Sequence, residues 1–167
     1  NHTDFININD VQNNEFIQYF GQLEFLDNLS NFAPSFYTKS LKQTILFYPD
    51  RFAFIFKNKK ENSDLLEIIR IDMIFENANP NVKIVGSNKK NSYLNFYNLS
   101  DENELTKTPT FNQIEYQNIY KDIDLIVYDK NGDLEYDFIL NPGANPADIK
   151  LKLEGIENYK IDEKGNL

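Results

Sequence analysis

Apolar residues recur at every second position along much of this chain, the period expected of β-strands with one buried face. The alternation is clearest in residues 123–140, where Ile123 and Leu125 begin a run of apolar residues at alternate positions. Asn131 and Gly132 divide this segment, and an Asn-Gly pair fits a type I′ turn because both central residues need φ > 0. The sequence therefore predicts a β-hairpin over residues 123–140.

A second hairpin is predicted over residues 44–57, where two runs of strand-forming residues flank a turn at Pro49 and Asp50. The second run, residues 52–56, reads Phe-Ala-Phe-Ile-Phe and is apolar at every position. A strand of this kind has no solvent-facing side, so we expect it to be buried on both faces.

Further strands are predicted between the hairpins and toward the end of the chain. Residues 66–75 alternate in period two and are rich in β-branched side chains, which favours a strand over the alternative of a helix. The polar residues 98–109 are predicted to form a loop, with one helical turn over residues 101–105 capped by Ser100. Shorter strands are expected at residues 82–85, 92–97, 110–116 and 149–153.

About ten short strands with turn signals between them and almost no helix predict an all-β fold, an antiparallel β-sandwich. Residues 1–14 are polar and are expected to form an N-terminal arm, and residues 15–167 a single β-sandwich domain. The turn signal in residues 162–167 has no return strand, and the chain begins at Asn1 rather than at Met. We therefore expect this chain to be an excised part of a larger protein.

The net charge and the absence of cysteine limit which partners and which chemical sites we expect for this chain. The net charge is −9 and the isoelectric point is about 4.6, which disfavours nucleic acids and anionic membrane surfaces because both require basic patches. The absence of cysteine excludes disulfides and thiolate metal sites. No apolar run approaches the roughly 20 residues of a membrane span, so membrane insertion is not expected.

Three motifs in the last third of the chain carry a family resemblance. They are Tyr-Gln-Asn-Ile-Tyr-Lys-Asp-Ile-Asp-Leu at residues 116–125, Gly-Asp-Leu-Glu-Tyr-Asp-Phe at 132–138 and Pro-Gly-Ala-Asn-Pro at 142–146. In this order they resemble the N-terminal β-domain that precedes SBBP-type β-propeller repeats, or PKD-like and sorting modules, in secreted surface proteins of Bacteroidetes-type bacteria. The chain departs from that pattern at Asp122, where the family usually has Gly, and in residues 100–108, where it commonly has a Trp.

The resemblance implies export, a large multidomain parent and a location at the cell surface. Its implied partners are neighbouring domains of the same polypeptide, together with surface glycans or proteins. It supplies no catalytic residue that can be carried over to this chain.

The predicted hairpin contains one candidate metal site. Asp129, Asn131, Asp133 and Glu135 have the alternate-oxygen spacing of a calcium loop. However, glycine occupies the fourth position of the pattern rather than the sixth, and Leu140 occupies the twelfth, where a carboxylate is needed. A hairpin turn explains the same residues, so we expect no cofactor and keep Ca²⁺ as the weaker alternative.

Two further alternatives concern glycans. Asp124 with Glu135 or Asp137 would form a glycosidase-type carboxylate pair if the two acids flanked a groove. Tyrosines can stack on sugars when exposed, although packing is their more frequent use in strands; the candidates are Tyr93, Tyr97, Tyr116, Tyr120, Tyr128 and Tyr136.

His2, the single histidine, lies in the predicted arm, which argues against a Ser-His-Asp triad. The sequence thus favours a non-catalytic structural or adhesive module. A carbohydrate-binding module is the first alternative, and a glycan-processing enzyme is the second.

Overall fold

The computed structural model describes residues 15–21, 33–39, 43–59, 66–98 and 101–156. These residues form ten strands, and every strand pair is antiparallel, so the predicted all-β antiparallel class is confirmed. The strands are β1 (Phe16–Gln18), β2 (Phe36–Lys39), β3 (Gln43–Phe47), β4 (Arg51–Lys59), β5 (Leu66–Phe75), β6 (Lys83–Asn98), β7 (Asp101–Tyr120), β8 (Ile123–Lys130), β9 (Asp133–Leu140) and β10 (Leu151–Glu154). The predictions for residues 1–14 and 162–167 lie outside the described residues.

The ten strands form one hydrogen-bonded sheet with the order β10-β5-β4-β3-β2-β1-β7-β8-β9, and β6 pairs with β7. β6 follows one edge of β7. The other edge of β7 pairs with β1 at Thr110 and Phe111 and then with β8 from Gln113 onward. The sheet therefore forks at β7, and two separate sheets of a sandwich are not confirmed because β7 belongs to both branches.

One core lies between the two branches of the sheet. The ring of Phe52 on β4 packs 5.8 Å from that of Tyr116 on β7 and 6.2 Å from that of Tyr136 on β9, between centroids. Phe75 on β5 also contacts Tyr116, at 6.1 Å. Burying each such side chain contributes about 1.5–3 kcal/mol, so these contacts are a main source of attraction between the branches.

The strand that was predicted to be buried on both faces is β4. Phe52 points into the shared core, and its neighbours Ala53 and Ile55 are also fully buried, in a second cluster on the opposite face. Leu46 on β3 and Tyr37 on β2 belong to that second cluster. The absence of a polar face in the sequence of β4 is thus explained by burial on both sides.

The long hairpin of β6 and β7 differs from the sequence prediction. Residues 83–85 and 92–97 of the two predicted strands belong to one strand, β6. The predicted loop is wrong at Asn98, which ends β6, and the loop and the helical turn are wrong from Asp101 onward, where β7 begins. Between the residue pairs Lys89–Phe111 and Tyr93–Pro109, β6 contains more residues than β7 does. β6 therefore carries a bulge. Pro109 has no N–H to donate to the ladder, which fits its position at this irregularity.

The predicted hairpin of residues 123–140 is confirmed as β8 and β9, which pair over their full lengths. Asn131 has φ 57° and Gly132 has φ 93°, as the predicted type I′ turn requires. After β9 the chain crosses to the other edge of the sheet through a short 3-10 helix, Pro146–Asp148. The described part of the chain contains no helix with the length and hydrophobicity of a membrane span.

Candidate functional site

Turns at one end of the sheet are hydrogen-bonded to one another. The Asn79 N–H donates to the Ile119 carbonyl at 2.8 Å, and Asn79 Nδ2 donates to the Asn118 carbonyl at 3.0 Å. The Glu76 N–H donates to the Lys150 carbonyl at 2.9 Å. These bonds tie the turns into one unit, called here the loop end, which comprises residues 76–82, 118–122 and 141–150.

Asp124 connects β8 to the loop end through both of its carboxylate oxygens. Its Oδ1 accepts from the Asn118 N–H at 2.7 Å, and its Oδ2 accepts from Asn141 Nδ2 at 2.9 Å. Asn118 has φ 53°, an uncommon conformation that this bond helps to hold. The carboxylate considered as one half of an alternative glycosidase pair therefore holds two turns in place.

Glu135 and Asp137, the acids considered as partners of Asp124 in that alternative, lie beside the hydroxyl of Tyr128. Tyr128 Oη lies 2.9 Å from Asp137 Oδ2 and 3.1 Å from Glu135 Oε2, and Lys130 Nζ lies 3.0 Å from the same Glu135 oxygen. A phenol has one proton, so it donates to one of the two carboxylates at a time. The hydrogen bond to Asp137, then partial desolvation and Glu135, raises the pKa of Tyr128 to about 12.

The strand register separates the residues of the candidate calcium site. Asp129 pairs with Leu134, which packs against the core, whereas Glu135 pairs with Tyr128 on the outer face of the hairpin. Asp129 Oδ1 accepts from the Gly132 N–H at 3.1 Å, which closes the turn. Asp129 and Glu135 thus lie on opposite faces of the ribbon. Within the described ranges no three His, Cys, Asp or Glu side chains form a group able to hold a metal ion.

A cavity of about 300 Å³ opens at the loop end. Its lining offers ammonium, carboxylate and carboxamide groups, which suit small polar molecules. Tyr120 also lines it, but only 4% of this residue is exposed, and its hydroxyl donates to the Lys150 carbonyl at 3.1 Å. The ring therefore offers little stacking surface. The lining residues are Asn77, Asn79, Tyr120, Lys121, Asp148 and Lys150.

The six candidate tyrosines occupy unlike environments. Tyr116 and Tyr120 are buried in the core. Tyr93 on β6 is 50% exposed and has Lys89 Nζ 5.1 Å from its ring centroid, while Tyr136 on β9 packs against Phe52 and Phe138. The side chain of Tyr97 lies outside the described residues. The tyrosines whose side chains are described thus form no continuous row on one face.

Sequence reasoning missed the asparagines that organise the loop end. Asn79 and Asn141 join segments that are distant in the chain through their side-chain amides, and Asn118 does so through the N–H and C=O of its irregular backbone. Asn favours turns because it tolerates left-handed conformations and its amide bonds to nearby backbone. That preference marks a turn, but it does not show which second turn the side chain will reach.

Comparison with known proteins adds one finding. No curated protein and no solved structure matches the chain. One family model, described as a domain of unknown function (DUF7948), matches residues 16–167. The matched region begins at the first residue of β1 and includes all ten described strands. The chain therefore belongs to the DUF7948 family.

Proposed function

We propose that this chain is a non-catalytic structural or adhesive module of a large exported bacterial cell-surface protein. The main support for this proposal is that the candidate carboxylates are hydrogen-bonded to other groups of the chain. Both oxygens of Asp124 accept hydrogen bonds from the loop end, and Glu135 and Asp137 bond to Tyr128 within their own hairpin. These acids are hydrogen-bonded within the fold, and this bonding does not depend on a substrate.

The motifs of the family resemblance support the same role. Residues 116–125 form the end of β7, its turn and the start of β8, and residues 142–146 belong to the loop end. Residues 132–138 form the turn and most of β9. A module of the kind that precedes SBBP-type repeats, in a secreted surface protein, would preserve such a framework to present its neighbours.

We also propose that the two branches of the sheet act as the two layers of a β-sandwich. This second proposal is supported by the packing of Phe52 on β4 against Tyr116 on β7 and Tyr136 on β9. Core contacts across facing layers are what define a sandwich physically, even where one long strand joins the layers.

The second candidate function is a carbohydrate-binding module, and the cavity at the loop end favours it. Lys121 and Asp148 offer a donor and an acceptor beside the amide of Asn77, whereas the amide of Asn79 is hydrogen-bonded within the loop end. Vicinal sugar hydroxyls both donate and accept, so they match such a lining. The buried ring of Tyr120 removes the stacking contribution that aromatic platforms provide, so we expect weak binding at this site.

A panel of soluble polysaccharides, assayed for new reducing ends and for retention on the immobilised chain, tests these functions. We expect no turnover by the unaltered chain, and a lower melting temperature for Asp124→Asn. Turnover that Asp124→Asn or Asp137→Asn abolishes while the melting temperature is unchanged would contradict the non-catalytic role. Retention that Lys121→Ala abolishes without loss of stability, with the exposed Lys130→Ala as matched control, would favour the carbohydrate-binding function.

A further inference from the structure

Three strands of the sheet have an edge that no other described strand covers: β6, β9 and β10. Exposed edges present unpaired N–H and C=O groups, and proteins usually protect them with lysines, bulges or short length. β6 carries Lys83, Lys89 and Lys90 and a bulge. β10 has only four residues and ends beside Gly155, which has φ 88°.

β9 is neither short nor bulged, and the charges along it are the acids Asp133, Glu135 and Asp137 rather than lysines. Its eight residues pair with β8 without a register shift, and it contains no proline, glycine or lysine. In an antiparallel ladder every second residue of an edge strand points its N–H and C=O away from its partner. With respect to the described residues, the outer edge of β9 is thus an unpaired row of main-chain donors and acceptors that a further strand can pair with.

The side chains of β9 define what kind of strand would fit. Asp133, Glu135 and Asp137 alternate along the outer face, opposite Lys130, Tyr128 and Ile126 of β8. On the inner face Tyr136 and Leu140 remain 39% and 46% exposed although they lie beside the core. An added strand would place its alternate side chains about 5 Å from these two rows.

We propose that the outer edge of β9 binds an extended polypeptide segment in which Lys or Arg alternates with apolar residues. The basic side chains would lie beside Asp133, Glu135 and Asp137, and the apolar ones beside Tyr136 and Leu140. The same three acids repel a second β9, so they select against symmetric pairing of two copies. This inference deepens the proposed structural role and rests on it, because it names the surface to which a neighbouring segment attaches.

A fluorescent eight-residue peptide of alternating Lys and Val is the probe, with binding measured by anisotropy. Its control is the same peptide methylated at every backbone nitrogen, which keeps the charge but cannot pair as a strand. We expect the control to bind at least about tenfold more weakly, because main-chain hydrogen bonds supply much of the affinity in strand addition. Equal binding of the two peptides would reduce the interaction to charge attraction alone and would overturn the proposal.

The matched protein variants are Asp133→Lys with Asp137→Lys on β9, and Glu76→Lys with Asp148→Lys at the loop end, so that both change the net charge equally. We expect the β9 variant to lose at least about tenfold in affinity, because like charges would then face the peptide, and the control to keep its affinity. Melting temperatures show whether each variant is folded. A folded β9 variant that binds as tightly as the unaltered chain contradicts the proposal.

A second copy of this chain is the competing occupant, since β10 itself alternates Leu151 and Leu153 with Lys152. Sedimentation equilibrium distinguishes the two. Self-association that Lys150→Glu with Lys152→Glu abolishes would assign the edge to β10 of another copy and overturn the proposal. Failure of peptide binding with a folded chain refutes only the docking surface, because the proposed function is tested separately by turnover and by location in the cell.

Discussion

Short polar side chains stabilise many of the turns in the described part of this molecule. The described non-glycine residues with positive φ are four asparagines and one aspartate. Asn and Asp tolerate this conformation because their side chains bond to nearby backbone groups. Asp124 does not have a positive φ, but it supports such a residue, because its carboxylate accepts hydrogen bonds from the Asn118 N–H and from the side chain of Asn141. Acidity and asparagine content thus have a conformational use in addition to solubility.

Asp124→Ala is expected to lower the free energy of unfolding by about 2 kcal/mol, because two hydrogen bonds to a charged acceptor are lost. Chemical denaturation measures the change. The matched control is Asp133→Ala, an exposed acid of the neighbouring strand, which we expect to change stability by less than about 0.5 kcal/mol. Equal stability of the two variants would refute the role assigned to Asp124.

The Tyr128 hydroxyl gives a spectroscopic prediction. Its pKa is raised from 10.0 to about 12, so the folded state holds the proton more tightly than the unfolded state does. This contribution to stability is therefore fully present below pH 10 and is lost as the pH rises through about 12. In an ultraviolet titration of phenolate, Asp137→Asn should bring the Tyr128 midpoint back toward 10, with Tyr128→Phe identifying the signal. An unchanged midpoint would exclude Asp137 as the main cause.

Gly132→Val is expected to destabilise the chain by about 1–3 kcal/mol, since a β-branched residue resists the φ of 93° at this turn position. Thermal unfolding followed by circular dichroism measures the effect. Asn131→Gly at the preceding position is the control, because glycine adopts φ 57° freely. A Gly132→Val variant that melts at the same temperature would contradict the type I′ turn.

At the scale of elements, local signals predict hairpins and fail for strands whose pairing is distant. The β8–β9 hairpin was predictable because its turn and its alternation lie in one short segment. β7 was not, since its polar first half becomes a strand only by pairing with β6, and propensity is a weak guide where pairing decides. Gly86 shows the same limit: it looks like a strand end in the sequence, yet it lies within β6 under the ring of Phe111.

Gly86→Ala tests that packing. A Cβ at this position would lie 2.5 Å from Phe111 Cγ, so the ring must move, at a cost of about 1–3 kcal/mol. In a Phe111→Leu background the cost should fall, and the double-mutant cycle measures the coupling. Ser87→Ala on the same strand is the control, and we expect it not to destabilise the chain, because the Ser87 hydroxyl is buried without a hydrogen-bond partner among the described residues. A Gly86→Ala cost that is the same in both backgrounds would show that Phe111 is not the obstacle.

At the scale of the whole molecule, the fork at β7 brings distant parts of the chain around one core. The all-β class could be predicted from the sequence because it follows from period and turn content. The joining of both branches through β7 could not, since it depends on which strands meet. The candidate site could likewise be predicted only in part. The sequence identifies the acids, but it does not show that Asp124 accepts a hydrogen bond from Asn141, seventeen residues away.

The proposed role as a module of a large exported protein is tested most directly by an immunoblot of fractionated native cells. An antibody raised against this chain would be used on the surface, secreted and cytosolic fractions. We predict a band far larger than the 19.6 kDa of this chain, in the surface or secreted fraction. A band near 20 kDa in the cytosolic fraction would contradict the proposal.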